Sequence, residues 1–132
     1  MPTFNKFDQF VEDLAHGVHD LSAPGDQLVV ALTNTLPVAA NSILTDITEV
    51  AYTFLSSRNV TKDSSGQTSG TYTLALDATN TTLTSTGGAT GPFQWVVLYN
   101  SNSTGPVNAL IGWVDYGSAL TLQDGESLDI DW

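Results

Sequence analysis

The segment from Pro92 to Trp132 constrains the fold of this chain more than any other. It contains four runs with the composition of strands, PFQWVVLYN, ALIGWVDYG, SALTLQ and ESLDIDW. In the last run, Leu128 and Ile130 alternate with Asp129 and Asp131. Such alternation allows a strand to place its apolar side on a core and its carboxylates in water. These residues therefore predict an antiparallel β-architecture in which the last strand is built into a sheet.

A turn motif lies directly before the last of these runs. The sequence Gln123-Asp124-Gly125-Glu126 places an Asp-Gly pair between two alternating segments. This arrangement is a strong short-range signal for a β-hairpin. We therefore predict that the two flanking strands pair with each other.

One segment, residues 4–21, shows convincing helical periodicity. Its apolar residues are spaced by three and four positions and comprise Phe7, Phe10, Val11, Leu14, Val18 and Leu21. This spacing predicts one amphipathic helix, which Ser22-Ala23-Pro24-Gly25 ends. Gly17 inside such a helix is unfavourable, so we expect a loose or bent last turn.

The remaining chain predicts short strands separated by turns. We expect a buried strand at Gln27–Thr33, a short helical turn at Ser42–Asp46 and a turn at Asp63–Gln67. One bent strand or two short ones are expected between residues 49 and 62. The prediction is an all-β protein with one N-terminal helix, a jelly-roll-like antiparallel β-sandwich. It forms a single domain, 1–132, with the helix in residues 1–22 and the sandwich in residues 26–132.

Size and composition narrow the class of protein. A chain of 132 residues can bury enough surface for a core without disulfides, and it contains no cysteine. The first residues contain no uninterrupted apolar run of the kind found in a signal peptide, and no later segment has the length of a membrane span. We expect a protein made without a signal peptide and without membrane contact.

The charge is strongly negative. Fourteen acidic residues face three basic ones, Lys6, Arg58 and Lys62, for a net charge of −11. Nucleic-acid binding takes most of its affinity from Lys and Arg, so the balance argues against a nucleic-acid partner. The acids either keep the protein in solution or complement a basic partner surface.

Two groups of residues contain the side-chain types that bind metal ions. His16 and His19 lie three apart, with Glu12 and Asp20 each four residues from His16, but a solvated helix face explains this spacing better. Acidic residues are dense near the end of the chain and could meet around Ca²⁺, namely Asp115, Asp124, Glu126, Asp129 and Asp131. They do not form a calcium-loop motif. We predict no metal and no cofactor.

Catalytic motifs are equally weak. The glycine-rich segment Thr86–Gly91 lacks the Lys of a phosphate-binding loop and is interpreted as a hinge or turn. No serine stands in a G-x-S-x-G elbow, and both histidines fall in the predicted helix. A pair of carboxylates acting on a glycosidic bond is not excluded by counting acids. We predict that the protein is not an enzyme.

Most of the chain resembles one group of proteins. The segments FNKFDQFVEDLAHGVHDL, LVVALTNTLPVAANSILTDITEVA, SGTYTLAL, GPFQWVVLYN and ALIGWVDYGSALTLQDGESLDIDW are similar to small virion structural proteins of tailed bacteriophages. The most specific parts are ALTNTLP, PFQWVVLYN and IGWVDYGSALTLQDGESL. The resemblance implies a capsid cement or decoration protein that is made in the host cytoplasm and binds the outside of the major capsid protein shell.

The expected partners follow from this resemblance. They are the major capsid protein and the protein itself, as a homodimer in preference to a homotrimer. Candidate interface residues are Phe4, Phe7, Phe10, Arg58 and Lys62. The aromatic stripe either completes its own sandwich, which we favour, or docks on a neighbour.

A tail or receptor-binding module remains the alternative. It would bind carbohydrate through exposed Trp and Tyr side chains. Core packing is the favoured interpretation of Trp95, Trp113, Tyr99 and Tyr116, since they lie in central strands.

Overall fold

The structure is a computed structural model and describes residues 3–77 and 81–132. Within these residues the elements are β1 (Phe4–Lys6), α1 (Asp8–Ala15), β2 (Leu28–Thr33), β3 (Asn59–Val60), β4 (Lys62–Thr68), β5 (Thr71–Leu76), β6 (Thr81–Thr84), β7 (Thr90–Asn100), β8 (Leu110–Leu122) and β9 (Ser127–Ile130). A 3₁₀ turn at Leu44–Asp46 matches the predicted helical turn. All pairings between these strands are antiparallel. The prediction of an all-β protein with one helix is confirmed.

The strands form one large sheet and two small ones. The large sheet has the order β1-β8-β7-β2-β3, while β4 pairs with β5 and β6 pairs with β9. The main core lies between the large sheet and the small ones. Leu98 and Ile111 of the large sheet pack there with Leu83, Leu128 and Ile130 of the β6-β9 pair.

Strand β2 is buried on both faces, which explains why its sequence is continuously apolar. All six residues of β2 are buried. Leu28, Val30 and Leu32 face the main core, whereas Val29 and Ala31 face a second cluster on the opposite side. A strand covered on both faces needs no polar alternation, so the run LVVALT is apolar throughout.

The helix is shorter than the predicted segment of residues 4–21. Phe4 lies in β1 opposite Val114, and the helix begins only at Asp8. At the other end Gly17 has a φ of 73°. Its N–H donates to the Leu14 carbonyl at 3.2 Å, and the Val18 N–H donates to the Asp13 carbonyl at 2.9 Å. These two bonds form a Schellman motif, so Gly17 ends the helix instead of bending it.

The first strand exists because β8 has a glycine opposite it. A Cβ atom at Gly112 would lie 2.3 Å from Phe4 Cζ and 2.5 Å from the Asn5 carbonyl oxygen. Only glycine admits the chain this closely. The sequence pattern places Phe4 in a helix, because a local pattern does not reveal a contact between residues more than one hundred positions apart. Met1 and Pro2, also within the predicted helical segment, lie outside the described residues.

The predicted hairpin at Asp124-Gly125 is wrong. The chain does turn there, but β8 and β9 belong to different sheets. β8 already pairs with β7 and β1, whereas β9 pairs with β6, placing Leu128 opposite Leu83. The Asp-Gly turn therefore carries the chain from one layer to the other.

The predicted turn at Asp63–Gln67 is also wrong, since these residues lie within β4. The reversal to β5 occurs instead at Ser69-Gly70, where both residues have positive φ. The segment 49–56, predicted to contain strand, is irregular and makes only isolated bridges at Glu49 and Leu55.

Candidate partner-binding surface

Two adjoining cavities form an apolar groove beside β8. The larger, about 490 Å³, lies between the large sheet, α1, β5 and the last residues, and is lined by Phe4, Phe10, Leu14, Leu21, Tyr72, Leu74, Ala75, Leu76, Leu98, Ile111, Val114, Asp131 and Trp132. The smaller, about 330 Å³, is lined by Val96, Val114, Tyr116, Asp129, Ile130 and Asp131. Val114 and Asp131 line both cavities, which therefore adjoin each other. We call them together the β8 groove.

Several large apolar side chains of the groove are open to solvent. Phe4 is 46% exposed, Leu14 42%, Tyr72 51% and Tyr116 45%. Single exposed apolar residues are ordinary, but a contiguous set around a concavity marks a binding site. The open side of the large sheet beside β8 is therefore the best candidate surface for a partner.

The charged groups of the groove are all acidic. Asp131 lines both cavities and Asp129 lines the smaller one. Asp129 is held in place by the Thr82 hydroxyl, which donates to its Oδ1 at 2.6 Å. Among the described residues no Lys, Arg or His side chain lines either cavity. The groove is therefore apolar inside and negative at its border.

The three predicted phenylalanines of the interface separate in the structure. Phe4 and Phe10 line the groove. Phe7 is fully buried on the other face of the large sheet, with its ring 4.6 Å from that of Trp113. Phe7 offers no surface to a partner, so its assignment to an interface is wrong. The reason is that the α1 periodicity does not extend to Phe7, which lies in the turn from β1 to α1.

Arg58 lies away from the groove and covers the outer edge of β2. Its Nη1 donates to the Val30 carbonyl at 2.6 Å, and its Cζ stacks 3.8 Å from the ring centroid of Tyr52. The Tyr52 hydroxyl in turn accepts from the Leu32 N–H at 3.0 Å and donates to Glu49 Oε1 at 2.7 Å. Burial raises the pKa of Tyr52 well above its ordinary range, so the phenol stays a donor. These side chains replace a paired strand and protect the sheet edge.

Lys62 also has an internal role, because its Nζ donates to the Asp26 carbonyl. Asp26 belongs to a polar cluster at the end of β7. The Asn100 amide donates to Asp26 Oδ2 at 2.7 Å and meets His19 Nδ1 at 3.0 Å. Asn100 is completely buried, and it fastens the segment after α1 to the large sheet.

The protonation state of His19 follows from these contacts. Asn100 Oδ1 accepts from the Asn102 N–H, so its amide nitrogen is the donor and His19 Nδ1 the acceptor. The imidazole is then neutral, with its proton on Nε2. Burial lowers the pKa of His19, against smaller raising effects of Asp13 and Asp26.

The two histidines do not converge on a metal. His16 is exposed, with Nδ1 3.7 Å from Glu12 Oε1, whereas His19 is buried against Asn100. Asp20 accepts from the Ser22 hydroxyl, which lowers the pKa of the Asp20 carboxyl.

Four of the five acidic residues proposed for Ca²⁺, Asp115, Asp124, Glu126 and Asp129, accept hydrogen bonds from neighbouring groups. Asp124 accepts from the Gly87 N–H, and Glu126 from the Gln123 N–H. A hydrogen bond from the Gln94 amide lowers the pKa of Asp115. In residues 3–77 and 81–132, no three His, Asp or Glu side chains are placed to hold a metal ion.

The glycine-rich segment forms the connection from β6 to β7. It is packed by Phe54, whose ring carbon Cε2 would lie 2.5 Å from a Cβ at Gly88. The segment is therefore a packed turn.

The aromatic residues predicted for the core are divided. Tyr99 is buried, while Trp95 and Trp113 are half-buried. Tyr116 is exposed, so its assignment to the core is wrong. β8 extends past the layer that covers its earlier residues, and this excess length is not visible in the strand pattern.

Sequence reasoning missed Tyr72 and Asp131 as surface residues of one groove. Tyr72 alternates in phase with Leu74 and Leu76, which is the same pattern as a core position. Only the uneven coverage of β5 leaves its tip exposed.

Comparison with known proteins identifies no relative of this chain. No protein-family model, curated protein or solved structure matches the chain. None of the helices in the described part of the chain has the length and hydropathy to cross a membrane.

Proposed function

We propose that this protein is a capsid cement or decoration protein of a tailed bacteriophage, with a jelly-roll-like sandwich. It binds the outer surface of the major capsid protein shell and stabilises the shell against the pressure of packaged DNA. The supporting observation is the β8 groove, an exposed concave apolar surface on a β-scaffold. The sequence resemblance to small phage virion proteins supplies the identity of the partner.

The physical demands of the role agree with this surface. A cement protein acts by burying area at joints between shell subunits, and many modest contacts then break only together. The covered edge of β2 supports the same role. It discourages open-ended strand pairing between copies, while the groove stays free for a specific partner.

Cryo-electron microscopy of intact particles tests the proposal. We expect density for this chain at regular positions on the outside of the shell. Shells prepared without the protein should rupture at a lower temperature and recover when the protein is added. Detection of the protein only in tail fractions of dissected virions would contradict the proposal.

A carbohydrate-binding tail module has less support. Such a module stacks sugars on exposed aromatic side chains. Trp95 and Trp113 are half-buried, and Trp113 packs against Phe7. Of the Trp and Tyr side chains in the described residues, only Tyr72 and Tyr116 are exposed for stacking. Self-association as a dimer or trimer stays a prediction, which sedimentation equilibrium of the purified protein tests.

A further inference from the structure

We infer that the β8 groove binds a segment of the partner protein in which apolar side chains are flanked by Lys or Arg. The inference rests on the proposed function only for the partner's identity as a shell subunit. The chemistry of the bound segment follows from the groove itself.

The apolar part of the inference comes from the volume and lining. The two cavities have volumes of about 490 and 330 Å³, which lie in the range of sites that hold ligand groups. Leu14, Tyr72 and Trp132 line the larger one, and Tyr116 lines the smaller. Aliphatic or aromatic side chains of a partner, placed in both cavities, would bury these exposed surfaces.

The shape of the groove favours a polypeptide segment. The cavities follow one another along β8, and the exposed residues 115–119 of the same strand lie next to the smaller cavity. An extended segment can place successive side chains into both cavities. A compact small molecule would fill one cavity and leave the other exposed.

The basic part of the inference comes from charge. Asp129 and Asp131 lie at the groove, and the basic residues Lys6, Arg58 and Lys62 line neither cavity. The whole chain carries a net charge of −11. A second copy would bring the same excess of negative charge to a surface without a compensating cation, so a basic partner is favoured.

Binding of three labelled heptapeptides tests this directly, by fluorescence polarisation with the full chain. The first has a Leu-Trp-Leu centre with two lysines on each side. The second has the same centre flanked by glutamates, and the third has flanking lysines around a Ser-Gly-Ser centre. We expect the first peptide to bind, and the other two to bind at least about tenfold more weakly.

Matched variants on one helix locate the binding site. Leu14→Gln removes an apolar side chain from the groove, whereas Val11→Gln changes a residue of similar exposure on the same helix that lines neither cavity. We expect Leu14→Gln to weaken the first peptide by about tenfold and Val11→Gln to have no effect. Tyr72→Ser, with Val107→Ser as its control, repeats the comparison on a different element. Thermal unfolding of each variant verifies that it is folded.

Charge variants test the flanking lysines. Asp131→Asn should weaken the first peptide several-fold, while Asp8→Asn at the start of α1 should not. Raising the salt concentration from about 50 mM to about 500 mM should reduce the difference between wild type and Asp131→Asn, because screening shortens the range of the interaction.

The outcomes separate this inference from the proposed function. Equal binding of the lysine-flanked and glutamate-flanked peptides, failure of the first peptide to bind, or a Leu14→Gln variant that binds as wild type would each overturn it. Self-association that Leu14→Gln abolishes would assign the groove to a second copy and also overturn it. If wild type and Leu14→Gln decorate shells equally, the groove inference fails and the proposed function stands. If the protein binds the first peptide through the groove but never binds shells, the proposed function fails alone.

Discussion

Replacing Tyr52 by Phe tests how much one hydroxyl contributes to closing the edge of the large sheet. Beyond β3, the described residues place no strand beside β2, but Glu49 forms a bridge with Thr33 and the Val50 N–H donates to the Leu32 carbonyl at 3.0 Å. The Leu32 N–H donates to the Tyr52 hydroxyl at 3.0 Å. Leu32 is fully buried. The variant keeps the ring on which Arg58 stacks and removes only the oxygen. The Leu32 N–H is then left buried without an acceptor.

The size of the effect follows from this one lost partner. A buried donor left without a hydrogen bond costs about 1–3 kcal/mol. Glu49, the other partner of the hydroxyl, has a side chain that is 28% exposed, so water can replace its bond at little cost. We expect the free energy of unfolding to fall by about 2 kcal/mol, which lowers the melting temperature by about 5–10 °C in a domain of this size.

Guanidinium chloride titration followed by tryptophan fluorescence measures this change. The midpoint should fall while the slope of free energy against denaturant stays constant, because the folded surface is unchanged. Tyr116→Phe is the matched control, since Tyr116 is 45% exposed and its variant should stay within about 0.5 kcal/mol of wild type. If Tyr52→Phe were no more destabilising than this control, the hydroxyl would not be the acceptor that closes the edge.

Three further perturbations probe other parts of the structure. Folding lowers the pKa of His19 below 6.5, so the unfolded chain binds a proton at a higher pH than the folded protein does. The free energy of unfolding should therefore be constant above about pH 6.5. It should fall as the pH decreases, until the imidazole of the folded protein is protonated as well. Chemical denaturation between about pH 7.5 and 5 should show this slope in wild type and His16→Gln but a flatter one in His19→Gln; a wild-type profile unaffected by His19→Gln would refute the assignment. Gly112→Ala should lower the free energy of unfolding by about 1–3 kcal/mol, because the added Cβ forces β1 away from β8, and hydrogen exchange in β1 should become faster. In the control Gly66→Ala, the added Cβ meets no atom within 4 Å, so stability should change by less than about 0.5 kcal/mol. Phe7→Ala should cost about 3–5 kcal/mol in thermal or denaturant unfolding because Phe7 is fully buried, and a loss below about 1 kcal/mol would mean that the residue is not part of the core.

Local pattern in the sequence was sufficient for the elements whose residues share one environment along their length. The apolar run of β2 predicts a buried strand, and the alternation in β9 predicts a strand with one covered face. The spacing of Phe10 and Leu14 predicts the body of α1. These signals depend on neighbours two to four positions away, so they can be recognised from the sequence alone.

Strand pairing could not be predicted from local pattern in the same way. The Asp124-Gly125 turn has the sequence of a hairpin, yet β9 pairs with β6, because β8 has β7 on one side and β1 on the other. β1 itself depends on a glycine more than one hundred residues away. Strand pairing is decided by the competition of distant segments for the same sheet edge, and a local sequence pattern does not predict the outcome.

The candidate surface shows the same division. The sequence by itself determined the negative charge and the apolar positions, among them Phe4, Phe7 and Phe10. Only the tertiary structure decided that Phe7 is buried while Phe4, Tyr72 and Tyr116 stay exposed around one groove. The reason is that a residue's hydropathy is a property of its side chain, whereas its exposure depends on how far the opposite layer extends over it.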